Sequence, residues 1–140
     1  MPVERNGIPG PAEWIRRGRS NLAIARSNAS GSDILFEDLC FEAQQATEKA
    51  FKGLLTHHGI DFPKTHSIAS LVTLAIQGGI SVPDDVARSA ELTTYAVETR
   101  YPGAPESVTR EEYSTALAMS EFVVAWAEDR ISRDPPKKPA

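Results

Sequence analysis

The sequence predicts an all-α protein: an up-and-down bundle of four long helices with one additional short helix. Three observations carry this. Apolar residues recur at helical spacing through five segments, the linkers between them are short, and no stretch shows convincing strand alternation. The 140 residues suit one domain large enough for a real core, and 41% hydrophobic with 24% charged residues are ordinary globular values. The expected division is a loose arm over 1–11, a bundle over 12–131 and a disordered tail over 132–140. There are no internal repeats.

Helix one is expected from about Ala12 to Ala29. Trp14, Gly18, Leu22 and Ala25 share a face with Ile15 beside them, and the small residues admit a close neighbour. Arg16, Arg17 and Arg19 crowd its first turns, against the preference of the helix dipole for anions there. A solvated face explains them; a phosphate-facing patch beside Trp14 is the alternative. Ser27 to Ser32 reads as a turn.

The chain is organised around Asp33 to Gly59, the longest helical pattern. Ser32 or Asp33 offers an N-cap oxygen, Glu37 and Asp38 put negative charge in the first turn, and Gly59 suits the left-handed residue that ends a helix. Phe36, Leu39, Cys40, Ala43, Ala46, Thr47, Ala50, Phe51 and Leu54 form the core stripe. Beside it runs a mixed stripe of Phe41, Gln45, Glu48, Lys52 and Leu55. That stripe reads either as a solvated face or as a dimer seam or ligand wall, since Phe41 and Leu55 would otherwise sit in water. Asp38, Glu42, Lys49 and Thr56 take the solvated arc.

Pro63 forbids helix continuation after Ile60. Ser67 can cap a short helix over Ile68–Gln77, ended by Gly78 and Gly79, with Ile68, Leu71, Val72 and Ala75 inward. Pro83 and Asp84 open a fourth helix to about Thr99. Arg100 to Val108 is a proline-glycine loop. Thr109 and Glu112 then match a capping box for a last helix to about Ile131. On that helix Met119, Phe122 and Trp126 form an extra apolar row outside the core stripe. A monomeric bundle would leave it in water, so these three, with Phe41 and Leu55, are the expected interface residues of a homodimer.

The formal charge of −4 argues against a surface that is wholly a nucleic-acid footprint. The single cysteine, Cys40, cannot form an intramolecular disulfide and lies on the core stripe. The histidines His57, His58 and His66 show no metal-ligand spacing, and there is no phosphate-cradling glycine loop, so neither metal nor cofactor is expected. No apolar run is long enough to span a bilayer and no signal peptide is visible, which implies a cytoplasmic protein. His66 can orient the turn before helix three or serve function. Arg100 and Tyr101 can hold a phosphate and stack a base; packing at the helix end, with Arg100 paired to Glu48 or Glu98, is the competing reading.

The run CFEAQQATEKAFKGLL with the following loop GIDFPKTHSI carries a resemblance. Ala43, Gln45, Ala46, Lys49, Lys52, Leu55, Pro63, His66, Ser67 and Ile68 match the pattern of the HEPN family, small helical domains linked to nucleotides. The likeness extends from about Trp14 to Trp126. Many HEPN proteins are metal-independent ribonucleases built on an R-x(4–6)-H motif paired across a homodimer. In that chemistry arginine stabilises the charged phosphorane and histidine transfers protons. Here Arg100 stands in R-Y-P and no histidine follows it. The sequence therefore resembles the branch without that nuclease motif, often encoded near a minimal nucleotidyltransferase. The resemblance implies a homodimeric binding protein without catalytic residues, partnered with such an enzyme in a toxin–antitoxin-like pair. Nucleotide or RNA would meet a groove of Gln45, Glu48, Lys52, His66, Arg100 and Tyr101. A divergent ribonuclease using Arg100 is the alternative.

Overall fold

The computed structural model describes residues 3–4, 8–27, 33–97 and 107–137. A short antiparallel pair, β1 (Val3–Glu4) and β2 (Ile8–Pro9), precedes helix α1 (Pro11–Ala25); α2 (Phe36–His57) and α3 (Ile68–Gln77) follow. Then come α4 (Asp84–Ala87), a 3₁₀ segment (Arg88–Thr93), α5 (Thr94–Val97) and the long α6 (Arg110–Arg133). The architecture is the expected all-α up-and-down bundle. Helix α2 is its axis, packing against α1, α3 and α6. It buries 13 of its 22 residues, too many for one stripe.

Local chemistry explains the boundaries. Helix α1 starts at Pro11, whose missing N–H is no loss in the first turn, and ends at Ala25, before the expected Ala29. Of the two expected caps, Ser32 lies outside the described residues and Asp33 is not used: Leu35 precedes α2 in an extended conformation without a side-chain cap. Its start is held by packing, with Phe36 stacked on Tyr113 at 5.4 Å and the Arg110 guanidinium 5.3 Å over the Phe36 ring. Gly59 (φ 68°) and Gly79 (φ 94°) terminate α2 and α3 as expected. Ser67 caps α3 by accepting from the Ser70 N–H.

Within α2, Gly53 is a contact point. A Cβ there would lie 3.1 Å from Trp14 Cβ and 3.3 Å from the Pro11 carbonyl, while a Cβ at Gly18 would lie 3.3 Å from the Ala46 carbonyl. Two glycines, one on each helix, let α1 and α2 approach closely.

The fourth helix is broken where one regular helix was expected. The buried Ser89 hydroxyl donates to the Val86 carbonyl at 2.6 Å, three residues back, which suits the tighter 3₁₀ winding. Thr93 Oγ1 accepts from Ile68 N–H, an open donor of the first turn of α3. The capping box on α6 is present in both directions, Glu112 N–H to Thr109 Oγ1 and Thr109 N–H to Glu112 Oε1, each 3.1 Å. Thr109→Ala is expected to lower stability by about 1 kcal/mol, read as a shift in the urea midpoint.

Described residues near both ends of the chain make contacts. The arm forms the β1–β2 pair. The tail is anchored on the end of α2 as far as Lys137. Asp134 accepts from Arg130 at 2.7 Å, its other oxygen lies 2.8 Å from His58 Nε2, its carbonyl lies 2.7 Å from His57 Nε2, and Lys137 N–H donates to the His57 carbonyl. No described helix is long and apolar enough to cross a membrane.

Candidate functional site

The mixed stripe of α2 turns inward at its centre. Glu48 is 3% exposed and Lys52 8%, and their ion pair spans 2.8 Å across one helical turn. Gln44 Nε2 donates to Glu48 Oε1 at 3.1 Å and to the His66 carbonyl at 3.2 Å, tying the α2–α3 loop to the helix. Gln45 Nε2 in turn donates to Gln44 Oε1. His66 Nδ1 lies 3.0 Å from Glu48 Oε1. Lys52 Nζ sits 5.6 Å over the Trp14 ring and 6.0 Å over Phe62, so an aromatic wall screens the ammonium from solvent. The Trp14 Nε1–H is buried there and has no partner among the described residues.

This geometry assigns the His66 tautomer. Lys52 and Gln44 both donate to Glu48, whose carboxylate acts as an acceptor, so His66 Nδ1 carries the proton that completes the contact. In the neutral form of the ring Nε2 then keeps a lone pair, and it has no partner among the described residues. The His66 side chain is 68% exposed. A buried carboxylate thus holds an exposed imidazole in a fixed orientation, an arrangement suited to accepting a proton or a hydrogen bond from a ligand.

Gln45 and His66 are therefore the accessible members of the expected groove, while Glu48 and Lys52 position them from beneath. Arg100 and Tyr101 lie outside the described residues. Gln44, fully buried and at the centre of the network, was not singled out from sequence. Its only signal is the i, i+4 spacing to Glu48.

The expected interface residues fare unequally. Leu55 is wholly buried in the core cluster, so the seam does not include it; α2 is packed on more than one side. Phe41 is half-buried. Met119 and Trp126 pack in part against the core, Trp126 with its ring 6.0 Å from Phe51, while Phe122 is 51% exposed. The row on α6 is thus split, its two ends against the core and its middle residue outward.

The arginines of α1 are occupied. Arg16 and Arg17 both bind Glu13, at 2.7–2.9 Å, and Arg19 makes a bidentate pair with Glu128. The phosphate-facing alternative loses its free charges. Hydrogen bonds from Arg16 and Arg17 hold the pKa of the Glu13 carboxyl down at about 2. A carboxyl lowered on folding stabilises the fold fully above its unfolded value, about 4.5, and that stabilisation is lost as pH falls through about 2. Glu13→Gln is expected to flatten the decline of the melting temperature across that window, leaving the neutral-pH slope unchanged.

Cys40 is completely buried, and desolvation, then the nearby Glu112 charge, push its thiol up to about 12. It is a packing residue in contact with Tyr95, not a nucleophile. Among the described residues no group of three metal-ligating side chains is assembled.

A helical bundle with a polar network at the α2–α3 turn defines a class of small all-α domain, and the comparisons with known proteins name it. The HEPN domain model matches residues 11–130, and the chain belongs to the HEPN family. It is similar to TT1696 from Thermus thermophilus, with 31% identity and a TM-score of 0.73, covering 86% of this chain and 97% of that one. It is also similar to ST0689, an archaeal HEPN homologue, with 29% identity, a TM-score of 0.70, and coverage of 87% and 98%. No curated protein matches significantly.

Proposed function

We propose that this HEPN protein is a homodimeric binding protein, the partner of a minimal nucleotidyltransferase in a toxin–antitoxin-like pair. It contacts nucleotide or nucleic acid through Gln45 and His66, held by Glu48 and Lys52, together with Arg100 and Tyr101. The observation that carries this reading is the exposed imidazole fixed by a buried, fully engaged carboxylate. Such a group costs little further ordering when a hydrogen-bond donor of the ligand, a ribose hydroxyl or a base N–H, arrives. The exposed Phe122 supports a macromolecular contact on α6.

Calorimetric titration with ATP and with a short single-stranded RNA tests the ligand. Binding weakened by His66→Ala and by Arg100→Ala is expected, and absence of heat with both ligands refutes it. Light scattering tests the dimer, and Phe122→Asp is the clean variant because Trp126 is partly engaged with Phe51. Conversion of a wild-type dimer to a monomer supports the seam; a wild-type monomer removes the homodimer. Mixing with a purified minimal nucleotidyltransferase tests the partner.

The same Glu48–His66 pair favours a second reading, a metal-independent ribonuclease in which His66 supplies the acid–base group that R-Y-P lacks. Cleavage of RNA by the wild type, abolished in both His66→Ala and Arg100→Ala, would select it.

A further inference from the structure

Away from the α2–α3 turn, the 3₁₀ segment and the first half of α6 enclose a cleft of about 320 Å³. Its floor is apolar: Leu92 and Ala116 are buried and Met119 is half-buried. The apolar surface continues along α6 at helical spacing, from Met119 to the exposed Ala118, Phe122 and Ala125. The cleft is rimmed by carboxylates from both sides, Glu91 on the 3₁₀ segment and Glu111 on the first turn of α6. Neither is paired among the described residues, whereas Glu13, Glu48, Glu121, Glu128 and Asp134 all hold cationic partners.

Among the described residues, the nearby cations do not neutralise this rim. Arg88 points to Asp85 at 3.9 Å, and Arg110 lies over Phe36. A third carboxylate, Glu112, also lines the cleft, with one oxygen used in the capping box.

We infer that this surface docks a basic amphipathic helix of a partner protein. A lysine or arginine of that helix enters between Glu91 and Glu111, its aliphatic stem lying on Leu92 and Met119. Apolar side chains further along the helix cover Phe122. The occupant follows from charge complementarity: an apolar floor alone would accept many partners, but two carboxylates facing across it select a cation. The geometry sets the spacing too, because Glu111 and Phe122 are eleven residues apart on one helix, about 16 Å. The partner must carry its basic group and its apolar anchor at that separation. This rests on the partner-binding reading in supposing that a second protein is engaged, and it competes with a homodimer seam at Phe122, because one exposed ring cannot be covered by both at once.

The probe is a synthetic helical peptide of about 14 residues, with leucines along one face and lysines confined to one end. Its counterpart has glutamate at the lysine positions. Titration into the full-length chain is followed by anisotropy and by the methyl resonances of Leu92, Ala116 and Met119. The expected result is saturable binding of the lysine peptide that moves those methyls. It should weaken about tenfold in Glu91→Gln/Glu111→Gln and in Phe122→Ala. The charge-matched pair Glu121→Gln/Glu128→Gln, on the side of α6 that meets Arg26 and Arg19, should bind like wild type. Equal weakening by both carboxylate pairs would mean diffuse attraction to an acidic protein and overturns the inference, as does binding of the glutamate peptide. A wild-type dimer formed through Phe122 that the peptide does not displace also overturns it, with a second copy as occupant. The two readings fail separately. If the nucleotidyltransferase binds equally well to the cleft variants, the docking site is wrong and the partner stands. If no complex forms but the peptide seats as described, the partner is wrong and the site stands.

Discussion

Lys52→Met is expected to destabilise the bundle by about 3–5 kcal/mol, because it leaves Glu48 buried without its counter-charge. Glu48 is 3% exposed and its second oxygen has Lys52 Nζ at 2.8 Å. Gln44 and His66 still donate to the other oxygen, but neither brings a permanent charge. Since a domain of this kind is stable by roughly 5–15 kcal/mol in all, the single substitution removes a large share. The double variant Lys52→Met/Glu48→Leu should recover most of the loss, because an apolar pair of similar volume does not need desolvated charge to be compensated. Urea denaturation of the four members of the cycle measures this. A double variant as unstable as Lys52→Met alone would show that the cost lies in lost packing against Trp14 and Phe62. The double variant also removes the partner of His66 Nδ1, so nucleotide binding should fall while stability is restored. That separates the site from the scaffold.

Phe51→Ala is expected to cost about 3–5 kcal/mol, the usual effect of a cavity left by a buried phenyl ring. Phe51 is the largest wholly buried side chain among the described residues, and it faces Trp126 across the α2–α6 contact. The loss should therefore loosen α6 as well as α2, visible as faster amide exchange around Trp126. Phe122→Ala, four residues from Trp126 but half in solvent, should change monomer stability by less than about 0.5 kcal/mol. Urea midpoints of the two variants check the contrast. Comparable losses would mean that Phe122 is covered in solution.

Much of the fold is legible because helix signals are local. The capping box at Thr109 and Glu112, the Ser67 cap and the terminal glycines Gly59 and Gly79 act within a few residues, so the sequence states them without reference to the rest of the chain. The places where reading fails are those where a distant element intervenes. Asp33 is a good cap in isolation, but Phe36 is held by Tyr113 and Arg110, and the helix begins there instead. The fourth helix looks continuous until the Ser89 and Thr93 hydroxyls are engaged, the latter by the backbone of α3. The tail looks unstructured until Asp134 meets His57 and His58.

The candidate site divides in the same way. Gln45, Glu48, Lys52 and His66 are readable as a polar group on one face and a following turn. Periodicity does not say that α1 closes over that face with Trp14, nor that Gln44 anchors the His66 loop. Leu55 shares the stripe with Gln45 yet lies in the core, because α2 is packed on more than one side.

By itself, the sequence determined the all-α class, most helix ends and membership of the HEPN family, since these depend on hydrophobic period, capping chemistry and a contiguous motif. Only the tertiary structure decided which polar residues are buried and which apolar ones remain in water. Burial is a property of pairs of elements brought together from far apart in the chain, and no single helix carries the record of what will be laid against it.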